Sequence, residues 1–371
     1  MVDTTLRDGE QAPGVVFTQS EKIAIAAALS EAGIDEIEVG IPAMGGQARQ
    51  DIQKISRLNL PVICTSWCRA VKKDIEQAAQ CNTPGIHISF PASSILLKTV
   101  DKDETWVLKT LESLVTESLK YFDQVSVGAQ DASRTCENFL RRFALHARDA
   151  GAKRLRLADT VGIMTPSGTF KLIDYVTGHA PGIELEFHGH NDLGMATANA
   201  VTAVEAGARS LSVTVNGLGE RAGNASLEET AVALFEIGRF KSRIQTKNLA
   251  RLCNLVASAS GFPIPAAKPV TGKNVFRHES GIHCAALIRD ISSYQLFAPE
   301  TVGKNNIEWV IGYHSGSKAI CHALKKQGID INREVAEKLL VTIRKISYET
   351  KSFITPAQLV QIYKKSTAGK V

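Results

Sequence analysis

Residues 2–11 read Val-Asp-Thr-Thr-Leu-Arg-Asp-Gly-Glu-Gln, a short β-rich run that passes directly into charged residues. In an open, doubly wound sheet that binds a dinucleotide, the first strand leads into a glycine-rich, phosphate-cradling turn. Arg7-Asp8-Gly9-Glu10-Gln11 is charged instead, which speaks against that sheet. Outward from this stretch the same rhythm repeats. β-rich runs recur at 36–39, 62–65, 86–90, 125–127, 154–157, 184–187 and 211–215. Segments of helical composition fill the intervals, at 20–32, 47–57, 72–80, 104–120, 136–150, 167–179, 195–206 and 226–237. Thr18 with Glu21 makes a capping box ahead of the first. Gly33, Gly151 and Gly207 fall where helices close. Strands that alternate with helices pair in parallel through right-handed crossovers. Eight such units in about 240 residues match a closed (βα)8 TIM barrel, which takes about 250. The expected fold is α/β, a TIM barrel followed by a small helical C-terminal region.

After residue 240 the rhythm stops. The stretch 261–273, GFPIPAAKPVTGK, holds three prolines and reads as extended. Helical patterning returns at 317–327, 333–347 and 356–365. The predicted organisation is a barrel over 1–240, a linker over 241–275 and a helical subdomain over 276–371.

The chain has 371 residues, 44% of them hydrophobic and 22% charged, too apolar for a disordered chain. Its seven cysteines are odd in number, scattered and without a CxxC pair, which points to free thiols in a reducing compartment. Charged residues interrupt the N-terminus, and no uncharged apolar run approaches membrane-spanning length. A soluble, cytoplasmic protein is expected, with no membrane partner. Residues 241–371 hold 20 Lys and Arg against 8 Asp and Glu, while the first 240 hold 23 against 30. The basic tail lacks the aromatic interleaving or zinc spacing of nucleic-acid modules, so no nucleic-acid partner is expected. It reads as a solvated basic surface or as a site for an anionic cofactor.

Active sites of such barrels lie at the C-terminal strand ends. There the sequence places Arg7 and Asp8, Ser89 and Ser94, Gln130 and Asp131, Asp159 and Thr160, then His188, His190, Asn191 and Asp192, and finally Asn216 and Asn224. In Glu186-Phe-His-Gly-His190 the alternate residues share one face, so all three side chains can point into the barrel mouth. An HxH pair alone fits either a hydrogen-bonded pair or two metal ligands. Strands one and seven are separated only by strand eight, so Asp8 can join them, and two imidazoles with one carboxylate leave open positions on a divalent ion. Arg7 then either stabilises a developing oxygen charge near that ion or simply pairs with Asp8 or Glu10. Two motifs fail on spacing. Gly217-Leu-Gly-Glu-Arg-Ala-Gly223 follows the eighth strand with its third glycine one residue late. The histidines of His278-Glu-Ser-Gly-Ile-His283 are five apart rather than the four of a zincin helix.

Taken together, Asp3-Thr-Thr-Leu-Arg-Asp-Gly-Glu-Gln11, Ala158-Asp-Thr-Val-Gly162, His188-Gly-His-Asn-Asp192, Asn216-Gly-Leu-Gly-Glu-Arg-Ala-Gly-Asn224 and His278-Glu-Ser-Gly-Ile-His283 resemble the family of 2-isopropylmalate, homocitrate and citramalate synthases. The resemblance runs in order from residue 3 to about 320. Glu38-Val-Gly-Ile-Pro-Ala-Met44 and Gly312-Tyr-His-Ser-Gly316 look most like the homocitrate synthases associated with nitrogen fixation. It implies a metal-dependent Claisen condensation of acetyl-CoA with 2-oxoglutarate, then thioester hydrolysis to homocitrate and CoA. Isopropylmalate or citramalate synthesis, from 2-oxoisovalerate or pyruvate, is the nearest alternative, and an acyl-CoA lyase a further one. By position, the resemblance implies Asp8, His188, His190 and Asn224 as metal site. It implies Arg7, Glu186 and His283 as catalytic candidates, and Gln11, Ser94, Gln130 and Thr160 around the small-molecule substrates. The metal is Mn, Mg or Zn in this reading, and the general base is left open. Gln130 stands where the family usually carries Glu, which alters the charge of the mouth. A homodimer is also implied, with the C-terminal unit reaching across to the partner barrel.

Overall fold

The computed structural model describes residues 1–238 and 240–368. Eight parallel strands close in sequence order into a barrel, with the first hydrogen-bonded to the last. They are β1 (Val2–Asp3), β2 (Glu36–Gly40), β3 (Ile63–Arg69), β4 (Gly85–Pro91), β5 (Gln124–Gln130), β6 (Arg154–Asp159), β7 (Glu184–Gly189) and β8 (Ser210–Val213). The surrounding helices are α1 (Gln19–Glu31), α2 (Gly46–Ser56), α3 (Lys72–Ala79), α4 (Ser94–Thr99), α5 (Glu104–Ser118), α6 (Glu137–Asp149), α7 (Pro166–His179), α8 (Ala196–Glu205), α9 (Leu227–Ile237) and α10 (Leu249–Ser260). Every strand and barrel helix expected from the periodicity is present, and α4 and α10 are added. The capping box forms at α1, where Thr18 Oγ1 accepts from Glu21 N and Glu21 Oε2 accepts from Thr18 N. Gly33 then turns the chain at φ +83°, and a Cβ there would strike the Arg243 carbonyl.

The apolar core lies between the strands and the helices. Ile37, Val39, Ile86, Ile88, Val125, Val127, Leu155, Leu157, Leu185, Phe187, Leu211 and Val213 are all buried. They alternate with residues that register pairing places on the opposite, inward face: Glu36, Glu38, His87, Ser126, Arg154, Arg156, Glu186, His188 and Ser212. Branched aliphatic residues usually fill a barrel of this kind. Here the interior is charged, and its charges pair across the bore. Arg154 reaches Glu36 and Glu186 at 2.8 and 2.7 Å, and Arg156 reaches Glu186 and Glu38 at 2.6 Å each. Glu38 in turn holds Arg7 at 2.7 Å.

The chain divides into two compact units, 1–264 and 265–371. The stretch read as a linker, 241–275, therefore begins inside the first unit. α10 buries Leu249, Leu252, Cys253 and Val256, and Asn216 Nδ2 donates to the Cys253 carbonyl at 2.9 Å. The proline-bearing residues 261–273 carry no helix or strand. The second unit contains two short parallel strands, β9 (Arg277–His278) and β10 (Glu308–Trp309), with α11 (Gly281–Leu287), α12 (Ser317–Lys325), α13 (Arg333–Thr350) and α14 (Pro356–Ala368). α13 buries Ala336, Leu339, Leu340 and Ile343, the three-and-four spacing of an amphipathic helix, in a core shared with α12 and Leu359. No helix among the described residues is long and apolar enough to cross a membrane.

Asp3 is buried on the outer side of the barrel. Burial pushes its carboxyl up to about 7, against hydrogen bonds from Thr5 N and Oγ1, and Glu38 and Glu228 add to the rise. A free aspartate titrates near 3.8. Between those values the folded state holds a proton that the unfolded chain has lost, so stability falls as pH rises through the window. Asp3→Asn should flatten the decline in melting temperature between about pH 4 and 7. A wild-type slope retained in the variant would show that Asp3 is ionised in the folded protein.

Candidate active site

The inward register and the βα loops together build one cavity of about 300 Å3 at the C-terminal end of the barrel. Arg7, Asp8, Gln130, Thr160, His188 and His190 all line it, as their strand-end positions require, and Gln11, named by the family resemblance, lines it too. Trp67, His87, Ser89, Arg156, Glu220 and Arg221 complete much of the wall. Of these, Ser89 alone was singled out by its position after a strand. Trp67, His87 and Arg156 were legible in principle, because counting by twos along β3, β4 and β6 puts them on the inward face.

Asp8, His188 and His190 converge as expected, all three buried. Asp8 Oδ2 lies 3.1 Å from His188 Nε2 and 4.0 Å from His190 Nε2, and the two Nε2 atoms are 3.2 Å apart. His188 Nδ1 pairs with Ser212 Oγ at 2.9 Å, which fixes the ring from behind. Asn224 bridges the backbone of His190, and its Nδ2 donates to the Leu218 carbonyl. Burial works against the Asp8 carboxylate, yet Arg7, His188 and His190 together hold its pKa well below the usual range. Burial, with His188 close by, pushes His190 down to about 4 against the pull of Asp8. The result is an ionised carboxylate beside a neutral imidazole, the forms in which these groups bind a divalent cation. The buried Asn224 Oδ1 has no hydrogen-bond partner, so it too has a lone pair to offer. The donor set therefore fits a divalent metal, with one carboxylate, two imidazoles and an amide oxygen.

Arg7 stands beside this set, with Nη1 3.5 Å from Asp8 Oδ1 and its guanidinium 5.4 Å from the centre of the Trp67 ring. Its close partner is Glu38 rather than Glu10, which pairs with Lys22 at 3.0 Å. Burial opposes ionisation of Glu38, but Arg156 and Arg7 keep it strongly acidic. Across the cavity, His87 Nδ1 pairs with Ser126 Oγ at 2.9 Å. Burial and the neighbouring Arg156 hold that imidazole neutral. Thr160 Oγ1 accepts from Asp131 N at 2.8 Å, and the Thr160 carbonyl accepts from Arg221, which also grips Asp192.

Two expected residues of the barrel lie elsewhere. The sequence reading turned Glu186 into the mouth beside the histidines. The structure sets it one layer deeper, with no exposed surface and both oxygens on guanidiniums. The pleat gives Glu186 the same face as His188, but two residues of strand rise separate their depths. Ser94 is exposed on the first turn of α4, where Ser93 is the capping residue. His283 belongs to the second unit, exposed on α11 with its ring stacked on Tyr294 at 4.1 Å.

The sequence matches the HMGL-like family model over residues 1–256 and a homocitrate synthase post-HMGL domain-like model over 270–351. The chain belongs to the HMGL-like family. It is 44% identical over 364 residues to 2-isopropylmalate synthase 2 of Caldanaerobacter subterraneus subsp. tengcongensis, covering 98% of this chain and 94% of that protein. It is 42% identical over 363 residues to homocitrate synthase 1 of Nostoc sp., covering 98% and 96%. The HMG-CoA lyase structure from Bacillus subtilis aligns with a TM-score of 0.65 at 19% identity, over 72% of this chain and 95% of that one, a likeness of fold. With synthases at this identity over nearly the full length, this HMGL-like chain is an enzyme, a transferase of the synthase type.

The metal assignment has a direct check. His188→Ala should abolish tight binding of Mn2+ in calorimetry while far-ultraviolet circular dichroism stays that of the wild type. Unweakened binding would remove His188 from the ligand set.

Proposed function

We propose that the protein condenses acetyl-CoA with 2-oxoglutarate and hydrolyses the resulting thioester, releasing homocitrate and CoA. The observation that carries the choice of acceptor is the polar character of the rest of the cavity wall. There the wall presents Arg156, His87, Ser89 and Gln130, with Ala129 and Ala158 as small apolar residues. A second carboxylate on the acceptor meets a guanidinium in that wall. A branched aliphatic tail instead desolvates polar groups without pairing them, at a cost of about 1–3 kcal/mol for each group.

In the reaction a base takes a proton from the acetyl methyl group, and the resulting carbanion bonds to the keto carbon of the 2-oxo acid. The keto oxygen takes up the electron pair and then a proton. Water finally displaces the thiolate of CoA, leaving the new carboxylate. A divalent metal held by Asp8, His188, His190 and Asn224 supplies Lewis acidity for the keto carbonyl. Arg7 offers a fixed positive charge to the same oxygen, in a buried setting where it is worth more than in water. Thr160 and Gln11 serve to orient the 2-oxo acid. Glu186 is committed to two guanidiniums, which suits charge anchoring better than proton abstraction. His283 stays as the candidate for the proton relay. Exposed Ile282 and Leu296 on the second unit suit a protein contact of the kind a homodimer supplies. The 44% identical relative named a 2-isopropylmalate synthase makes the branched acceptor the second reading.

A thiol-release assay with acetyl-CoA and 2-oxoglutarate, 2-oxoisovalerate or pyruvate tests the choice. The highest kcat/KM is expected with 2-oxoglutarate, and chelator should abolish turnover. Preference for 2-oxoisovalerate would overturn the homocitrate assignment, and turnover in excess chelator would overturn the metal requirement.

A further inference from the structure

We infer that Glu38 is a positioning residue, which aims the guanidiniums of Arg7 and Arg156 into the cavity and so sets the turnover rate. The inference rests on the condensation reading above, in which Arg7 faces the oxygen that gains charge. Glu38 lies on β2 with no exposed surface, beneath the cavity rather than in its wall. Each of its oxygens is taken by a different arginine: Oε2 lies 2.7 Å from Arg7 Nε, and Oε1 2.6 Å from Arg156 Nη2. Both arginines line the cavity. One carboxylate thus sets the direction of two cations that belong to different loops and strands.

The geometry around Arg7 shows what the carboxylate prevents. Arg7 follows β1 in a turn, and its other charged neighbour is Asp8, whose Oδ1 is 3.5 Å from Nη1. That is longer than a strong charge-assisted hydrogen bond. Without Glu38, the guanidinium gains more by closing on Asp8, away from the oxygen it is placed to meet. Arg156 would be left with Glu186 alone and would turn down the bore. A cation displaced by about 1 Å from its working position costs up to about 100-fold in rate.

Glu36 provides the control for a purely structural role. It is the corresponding buried carboxylate two residues earlier on β2, paired with Arg154 and Thr65, and it lies outside the cavity wall. Glu38→Gln keeps the shape and removes the charge. It should lower kcat by about tenfold or more while the KM values for both substrates stay within about threefold. Glu36→Gln should lower the melting temperature comparably and leave kcat within about threefold of the wild type. Equal kcat losses in the two variants would show that Glu38 merely stabilises the fold. A folded Glu38→Gln enzyme with nearly wild-type kcat, or with its loss confined to KM, would also overturn the inference. All three proteins are assayed on whichever 2-oxo acid the wild type turns over best. A wild type inactive on every acceptor refutes the condensation reading instead.

Discussion

The structure depends on burying charge inside a closed barrel. Glu36, Arg154, Glu186, Arg156 and Glu38 alternate in sign across the bore and end at Arg7, which adjoins the Asp8, His188 and His190 set. Isolated charges in such a place are prohibitively desolvated, and buried pairs on average give little net stability over apolar packing. What they provide is direction. Removing one member takes a partner from each charge beside it, so the side chains have few arrangements available to them. The stability of the fold comes from elsewhere, chiefly the aliphatic layer between strands and helices.

That division of labour explains the electrostatics of the site. Glu38 is kept ionised by Arg156 and Arg7 despite burial, His87 is kept neutral by burial and by those same arginines, and His190 is kept neutral by burial with His188 close by. Asp8 is strongly acidic beside a histidine that resists protonation until about pH 4. The fold thus holds Asp8 and His190 in the forms that suit a divalent cation. Ser212 behind His188 and Ser126 behind His87 hold the imidazole rings by the same means, a hydroxyl on the neighbouring inward position.

Much of this was legible in the sequence. The alternation of β-rich and helical runs located eight strands, the strand-end rule located Arg7, Asp8, Gln130, Thr160, His188 and His190, and the family resemblance added Gln11, all in one cavity wall. The differences have local causes. Glu186 was read as a mouth residue because period two reports which face a side chain takes and says nothing of its depth. Of the two serines read after strand four, Ser89, inward on β4, reaches the cavity, while Ser94 is exposed on α4. α10 was missed because the nearby prolines dominated the reading of residues 241–275, while its amphipathic face finds its partner only on the barrel.

By itself the sequence determined the unit count, the parallel topology and the convergence of Asp8, His188 and His190 at the barrel mouth, because these follow from local periodicity and from which residue types end each strand. Only the tertiary structure decided which charges meet. Arg154 and Glu36 are 118 residues apart and become partners because β2 and β6 face one another across the bore. Closure and stagger of the strands set the depth at which each inward side chain sits. That depth separates the residues that line the cavity, such as Arg156 and His87, from those, such as Glu38 and Glu186, that hold the lining in place from below.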